Sequence, residues 1–148
     1  MEFLSGYTSL CFLLFFSTVL AAAPIDSADV RVIDGDTIRV HHAKPDVRLV
    51  GFNAPESRRA ACEAEGELGA KATRRLRELV RANDLDFEFV PCACQSGTEG
   101  TQACNYGRRC GTLKANGRHV GAILIEEGLA VPFICGKSRC PRTPRPVV

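Results

Sequence analysis

Ile33-Asp34-Gly35-Asp36-Thr37-Ile38, followed by Arg48-Leu49-Val50-Gly51-Phe52-Asn53-Ala54-Pro55-Glu56, is the stretch from which the fold can be read. Short runs of Val, Ile and Thr between Asp29 and Val40 flank Asp34-Gly35-Asp36, and that pattern predicts strand, turn, strand. Val47 to Phe52 predicts a third strand. It must stop at Asn53-Ala54-Pro55, because Pro55 has no N–H to give a ladder and holds Ala54 extended.

Working outward, Leu68, Ala72, Leu76, Leu79 and Val80 recur at helical spacing and predict a helix over Glu63 to Arg81. Arg74, Arg75, Arg77 and Glu78 fall largely outside that stripe and read as its solvated face. Leu85, Phe87 and Phe89 alternate with Asp86 and Glu88, the mark of a half-buried strand. A polar loop, Pro91 to Tyr106, follows. Gly111 to Ala115 reads as a last strand, Asn116-Gly117 as a turn, and Val120 to Glu127 as a short helix capped by Gly128. His41 and His42, read as neighbours on a strand, would point to opposite faces and could not share a metal. Five short strands, with one longer helix between the third and fourth and one short helix at the end, predict a mainly β, α+β domain: a five-stranded OB-type barrel.

The chain has 148 residues, 45% hydrophobic and 24% charged, which suits one globular domain and excludes disorder or a long coiled coil. A formal charge of +2 does not announce a polyanion partner. Leu10 to Leu20 is an uncharged apolar run followed by Ala21, Ala22 and Ala23. That is the layout of a signal peptide over residues 1–21, cut after Ala21. The run is short for a membrane span, although Glu2, with no Lys or Arg beside it, leaves an uncleaved anchor as the alternative. Residues 22–28 then read as a short linker, 29–136 as the domain and 137–148 as a basic, Pro-rich extended tail. Removal of the leader leaves 19 bases, 16 acids and the cysteines Cys62, Cys92, Cys94, Cys104, Cys110, Cys135 and Cys140. The expectation is a secreted or periplasmic monomer without stable membrane association. Its loops would be stapled by three disulfides of open connectivity, with one thiol left over. The spacings do not repeat a zinc knuckle.

The Ile33–Ile38 and Arg48–Glu56 segments, with Tyr106-Gly107-Arg108 and Glu127-Gly128-Leu129-Ala130 later in the chain, resemble in this order the staphylococcal nuclease-like family, the thermonucleases. Any one segment is weak. Four in order, across about Asp29 to Phe133, are specific. The resemblance implies an OB-type barrel and calcium-dependent hydrolysis of DNA or RNA to 3′-phosphate products. It implies Asp36, Asn53 and the carbonyl of Ala54 as Ca²⁺ ligands. It also implies Glu56 as general base, Arg48 and Arg108 as phosphate-holding residues, and Tyr106 on the nucleotide site.

These residue types suit the reaction in their own right. Carboxylate oxygens select a hard cation, guanidinium forks match two phosphate oxygens, and a carboxylate beside water can take its proton. Plainer roles compete. Asp34 could only shape its turn, Arg48 could be a surface strand residue, Glu56 could cap a turn, and Arg109 rivals Arg108. Two departures stand out: Asn53 replaces an acid of the family pattern, and the Pro-rich tail stands where the family has a long C-terminal helix. The competing function is a nucleic-acid-binding module of the same fold that does not cut.

Overall fold

The computed structural model describes residues 22–144. The expected leader, its cleavage point and Cys11 lie outside those residues. The strands are β1 (Ala23–Ile25), β2 (Val30–Asp34), β3 (Thr37–Val40), β4 (Val47–Leu49), β5 (Gly51–Asn53), β6 (Leu85–Val90), β7 (Arg109–Ala115), β8 (Arg118–His119) and β9 (Val131–Phe133). The helices are α1 (Glu63–Ala82) and α2 (Val120–Glu126). One sheet runs β1-β6-β7-β4-β3-β2, with β8 paired to β7, and β5 pairs separately with β9. The β4–β7 pair is parallel; the other pairs in both sheets are antiparallel. The main sheet curls into a half-barrel, and the fold is a mainly β, α+β fold of the OB type.

The apolar pattern sets this arrangement. Ile38, Val47, Leu49, Leu113, Val120 and Leu124 are completely or almost completely buried, and α1 closes the barrel with Leu76, Leu79 and Val80. Full burial of a side chain of this size is worth about 1.5–3 kcal/mol. The first turns of α1 are rotated from the expected stripe: Glu65, Gly69 and Thr73 are buried, whereas Leu68 is half-buried. Buried Glu65 reaches back to accept the N–H of Ala61 at 2.6 Å, which ties down the helix start. Arg75 on α1 meets the Glu127 carboxylate just past α2 at 2.8 Å.

Several expectations need correction. The third strand is not continuous, because Gly51 sits at φ +94° and breaks it into β4 and β5. That left-handed turn is accessible to glycine and sends β5 to its own partner. Residues 22–28, expected as a linker, supply β1, which pairs with β6. The last long strand begins at Arg109 rather than Gly111. His41 and His42 are not strand residues; both lie in the turn after β3, at φ +50° and +57°.

Three disulfides are present among the described residues: Cys92–Cys110, Cys94–Cys104 and Cys135–Cys140. Two of them staple the Pro91–Tyr106 loop, which has little apolar content of its own. Cys62 is the exposed N-cap residue of α1. The described part of the tail, to residue 144, makes a contact at each end. Cys135–Cys140 closes its start, and the Asn53 Nδ2 donates to the Pro144 carbonyl at 3.0 Å.

Candidate active site

The Asp34-Gly35-Asp36 turn is held from three directions. Asp34 Oδ1 accepts the N–H of Gly35 at 2.9 Å, and the hydroxyls of Ser57 and Thr73 each lie 2.9 Å from the same oxygen. Asp34 therefore ties the turn to α1 and to the segment that carries Glu56. Asp36 points inward and is 6% exposed. One of its oxygens accepts from the Thr37 hydroxyl at 3.0 Å; the other accepts the Ala54 N–H at 3.1 Å and pairs with Arg48.

Arg48, on β4, reaches three acceptors, one of them the Phe52 carbonyl at 3.4 Å. Besides pairing with Asp36, it donates to Asn53 Oδ1 at 2.7 Å. Asn53 is engaged at both ends of its amide, accepting from Arg48 on one side and donating to Pro144 on the other. Arg108 immediately precedes β7. Its guanidinium donates to Thr37 Oγ1 at 3.2 Å, to the Asn105 carbonyl at 3.1 Å and to Asn105 Oδ1 at 2.9 Å. Both arginines thus converge on Asp36, one directly and one through Thr37. Burial, followed by the positive charge of Arg48, lowers the Arg108 pKa from its ordinary value; Asp36, Glu56 and Tyr106 oppose that shift. Arg109 turns away and lies over the Phe89 ring, 3.2 Å from its centroid.

These groups face a pocket of about 680 Å³ whose walls include Arg48, Asn53, Glu56, Tyr106, Arg108 and the tail residue Pro144. Glu56 is exposed on that wall. Tyr106 stands at the rim, 78% exposed, with the Arg108 guanidinium 5.8 Å from its ring centroid. Asp36 and Ala54 are buried behind the wall and do not form part of it. The structure therefore brings all seven expected site residues to one end of the barrel, five on the pocket and two just beneath it.

Three residues escaped the sequence reading. Thr37 bridges Arg108 to Asp36. Asn105, at φ +51°, holds Arg108 from the disulfide loop, and its Nδ2 lies 3.4 Å from Cys110 Sγ. Gly69 lets α1 approach the Glu56 segment: a Cβ there would sit 2.7 Å from the Pro55 carbonyl oxygen. Only the last left a signal, since glycine inside a helix costs about 1 kcal/mol against alanine and calls for a packing reason.

The described residues include no helix long and apolar enough to cross a membrane, and the disulfides are compatible with an extracellular location. The family described as "Staphylococcal nuclease homologue" matches residues 46–143, which takes in Arg48, Asn53, Ala54, Glu56, Tyr106 and Arg108 and leaves out Asp34, Asp36, Thr37 and Pro144. The chain is 33% identical over 102 residues to "Endonuclease YncB" of Bacillus subtilis (strain 168), covering 68% of this chain and 44% of that protein. It is 31% identical over 102 residues to the "SPbeta prophage-derived endonuclease YokF" of the same organism, covering 68% of this chain and 31% of that protein. The aligned segment thus spans less than half the length of either relative. With its family match across most of the described residues and an OB-type half-barrel, the chain belongs to the staphylococcal nuclease homologue family.

Proposed function

We propose that the protein is a secreted, calcium-dependent nuclease that hydrolyses DNA or RNA to 3′-phosphate products. The observation that carries this reading is the placement of two guanidiniums, Arg48 and Arg108, and the exposed Glu56 carboxylate on one pocket. That set suits an anionic phosphodiester whose charge grows during attack. Arg48 and Arg108 donate to the non-bridging oxygens. Glu56 takes a proton from the attacking water as the water oxygen bonds to phosphorus, the P–O5′ bond breaks, and the 5′-oxygen takes a proton from solvent and leaves as a hydroxyl. Tyr106 offers a ring at the rim against which a base or sugar rests. Thr37 and Asn105 keep Arg108 aimed.

The donor set accords with calcium in kind. Asp36, Asn53 and the Ala54 carbonyl are hard oxygens of the class that ion takes; Asp36 and Asn53 share Arg48 as a partner, and the Ala54 N–H is bonded to Asp36. They would hold it through a single carboxylate, since Asp36 is the one acid of the three, and no group of three or more acidic, His or Cys side chains converges among the described residues. When bound, calcium supplies Lewis-acid polarisation of the phosphoryl oxygen. A second reading, a binding module that does not cut, is favoured by one observation: Asn53 is occupied at both ends, by Arg48 and by Pro144.

The test is cleavage of DNA and RNA by the purified mature protein, with calcium and with excess chelator. Cutting that chelator abolishes is expected. Undiminished cutting in chelator would remove the calcium assignment. No cutting with any divalent ion would promote the binding module.

A further inference from the structure

We propose that the chain carries a second nucleic-acid site, a basic cleft between β2 and α1 that grips the backbone of a strand whose scissile bond lies in the pocket already described. The proposal rests on the nuclease reading. The cleft is about 410 Å³ and shares no lining residue with that pocket. Arg31 enters it from β2, where it is exposed between buried Val30 and Val32. Arg77 and Arg81 enter from α1, one turn apart and therefore on one face. Arg58 and His42 complete the basic rim, and no carboxylate among the described residues lines the cleft.

The pairing pattern separates these arginines from their neighbours. Arg39, Arg75 and Arg118 each meet a carboxylate, at 2.6, 2.8 and 2.7 Å respectively. Arg31, Arg58, Arg77 and Arg81 make no side-chain hydrogen bond or ion pair among the described residues. Four guanidiniums around one concavity repel one another and leave their donors to water. A run of phosphates removes the repulsion and matches each planar fork. Among the described residues no Phe, Tyr or Trp lines the cleft and His42 is its one aromatic ring, so its donors outnumber its stacking surface, and the grip is on backbone and largely indifferent to sequence.

The cleft is also within reach of the pocket. Glu56 lines the pocket and Arg58 lines the cleft. Two residues of chain span at most about 7 Å, roughly two steps of a nucleic-acid strand at about 3.4 Å each. One strand can therefore occupy both.

The experiment compares Arg77→Gln/Arg81→Gln with Lys71→Gln/Arg74→Gln, which removes the same charge from exposed positions of α1 outside both concavities. Binding of a labelled 20-nucleotide single strand is measured in a Glu56→Gln background across a salt series. Cutting of the same strand and of a dinucleotide is measured with Glu56 intact. The cleft pair should weaken strand binding about tenfold near 0.1 M salt and flatten the salt slope by about 1.4, for two lost phosphate contacts. The control pair should change binding less than about twofold, and dinucleotide cutting should stay at its original rate in both.

Equal effects of the two pairs would overturn the cleft, as would a parallel fall in dinucleotide cutting. Unchanged strand binding together with weakened binding to phosphatidylserine vesicles would make the cleft a membrane contact and also overturn it. If no variant cuts but the cleft pair still loses the strand, the nuclease reading fails and the cleft stands. If cutting proceeds and the cleft pair behaves like the control, the reverse holds.

Discussion

Arg48 stands on β4, between β3 and β7, with Val47 and Leu49 on either side of it at 0% and 1% exposure. Arg108 stands at the end of a loop whose buried centre consists of Cys92, Cys104 and Cys110. The first is positioned by burial and ladder hydrogen bonds, so it is in place whenever the barrel is. The second is positioned by Asn105, and Asn105 rests against the Cys92–Cys110 disulfide. One wall of the pocket thus comes from folding and the other from oxidation. Two guanidiniums that would do the same work on a phosphate are exposed to different kinds of failure.

The largest effect should come from removing either fork. Arg48→Lys and Arg108→Lys should each lower kcat by about 10²–10³ with the fold intact by circular dichroism, because lysine keeps the charge and loses the bidentate geometry. Arg109→Lys should stay near the parent rate, since that side chain packs on Phe89. A collapse in Arg109→Lys with a near-native Arg108→Lys would show that the wrong arginine has been placed on the pocket.

Next in size is the staple. Cys92→Ala/Cys110→Ala opens a bridge of sequence separation 18 and should cost up to about 3 kcal/mol of stability in a denaturant titration. It should also lower kcat. Added to Arg108→Lys, it should lower the rate little further; added to Arg48→Lys, its effect should multiply. Equal multiplication in both backgrounds would mean that the disulfide does not act through Arg108.

The smallest effect concerns the joint between the walls and the tail. Asn53→Asp adds a second carboxylate beside Asp36. It should move the calcium needed for half-maximal cutting from the roughly 10⁻⁴–10⁻³ M range of extracellular modules toward 10⁻⁵ M. Calorimetry and the nuclease assay should agree on the shift. Unchanged or weaker calcium binding would exclude residue 53 as a ligand.

The same contrast explains how much could be read without coordinates. The β2–β3 turn, α1 and β6 were legible because their signals are local: a turn sequence, a 3.6-residue stripe and a two-residue alternation. That Arg48, Asn53 and Glu56 come to one pocket was legible because one short stretch holds them all. The split at Gly51 was not, since the apolar run crosses it unbroken and only the left-handed backbone shows where the direction changes. Neither were β1 and β9, which are three residues long and exist through partners far along the chain. Thr37 and Asn105 look like any strand and loop residues. Their importance depends on Arg108 arriving from 71 and 3 positions away, respectively. Disulfide pairing was hidden for the same reason.

The Asn53 amide makes the tail a gauge of what happens in the pocket. Its oxygen faces Arg48 and its nitrogen faces Pro144, 91 positions along the chain, so one rigid planar group reports to both. Anything that draws Arg48 off that oxygen leaves the amide free to turn, and a turned amide presents an acceptor to a carbonyl that needs a donor. Pro144 then loses that contact, while the Cys135–Cys140 loop still fixes where the tail starts. Occupancy at the centre of the molecule becomes legible at its edge: a spectroscopic label on residues 141–144 would register a bound ion or phosphate without touching either.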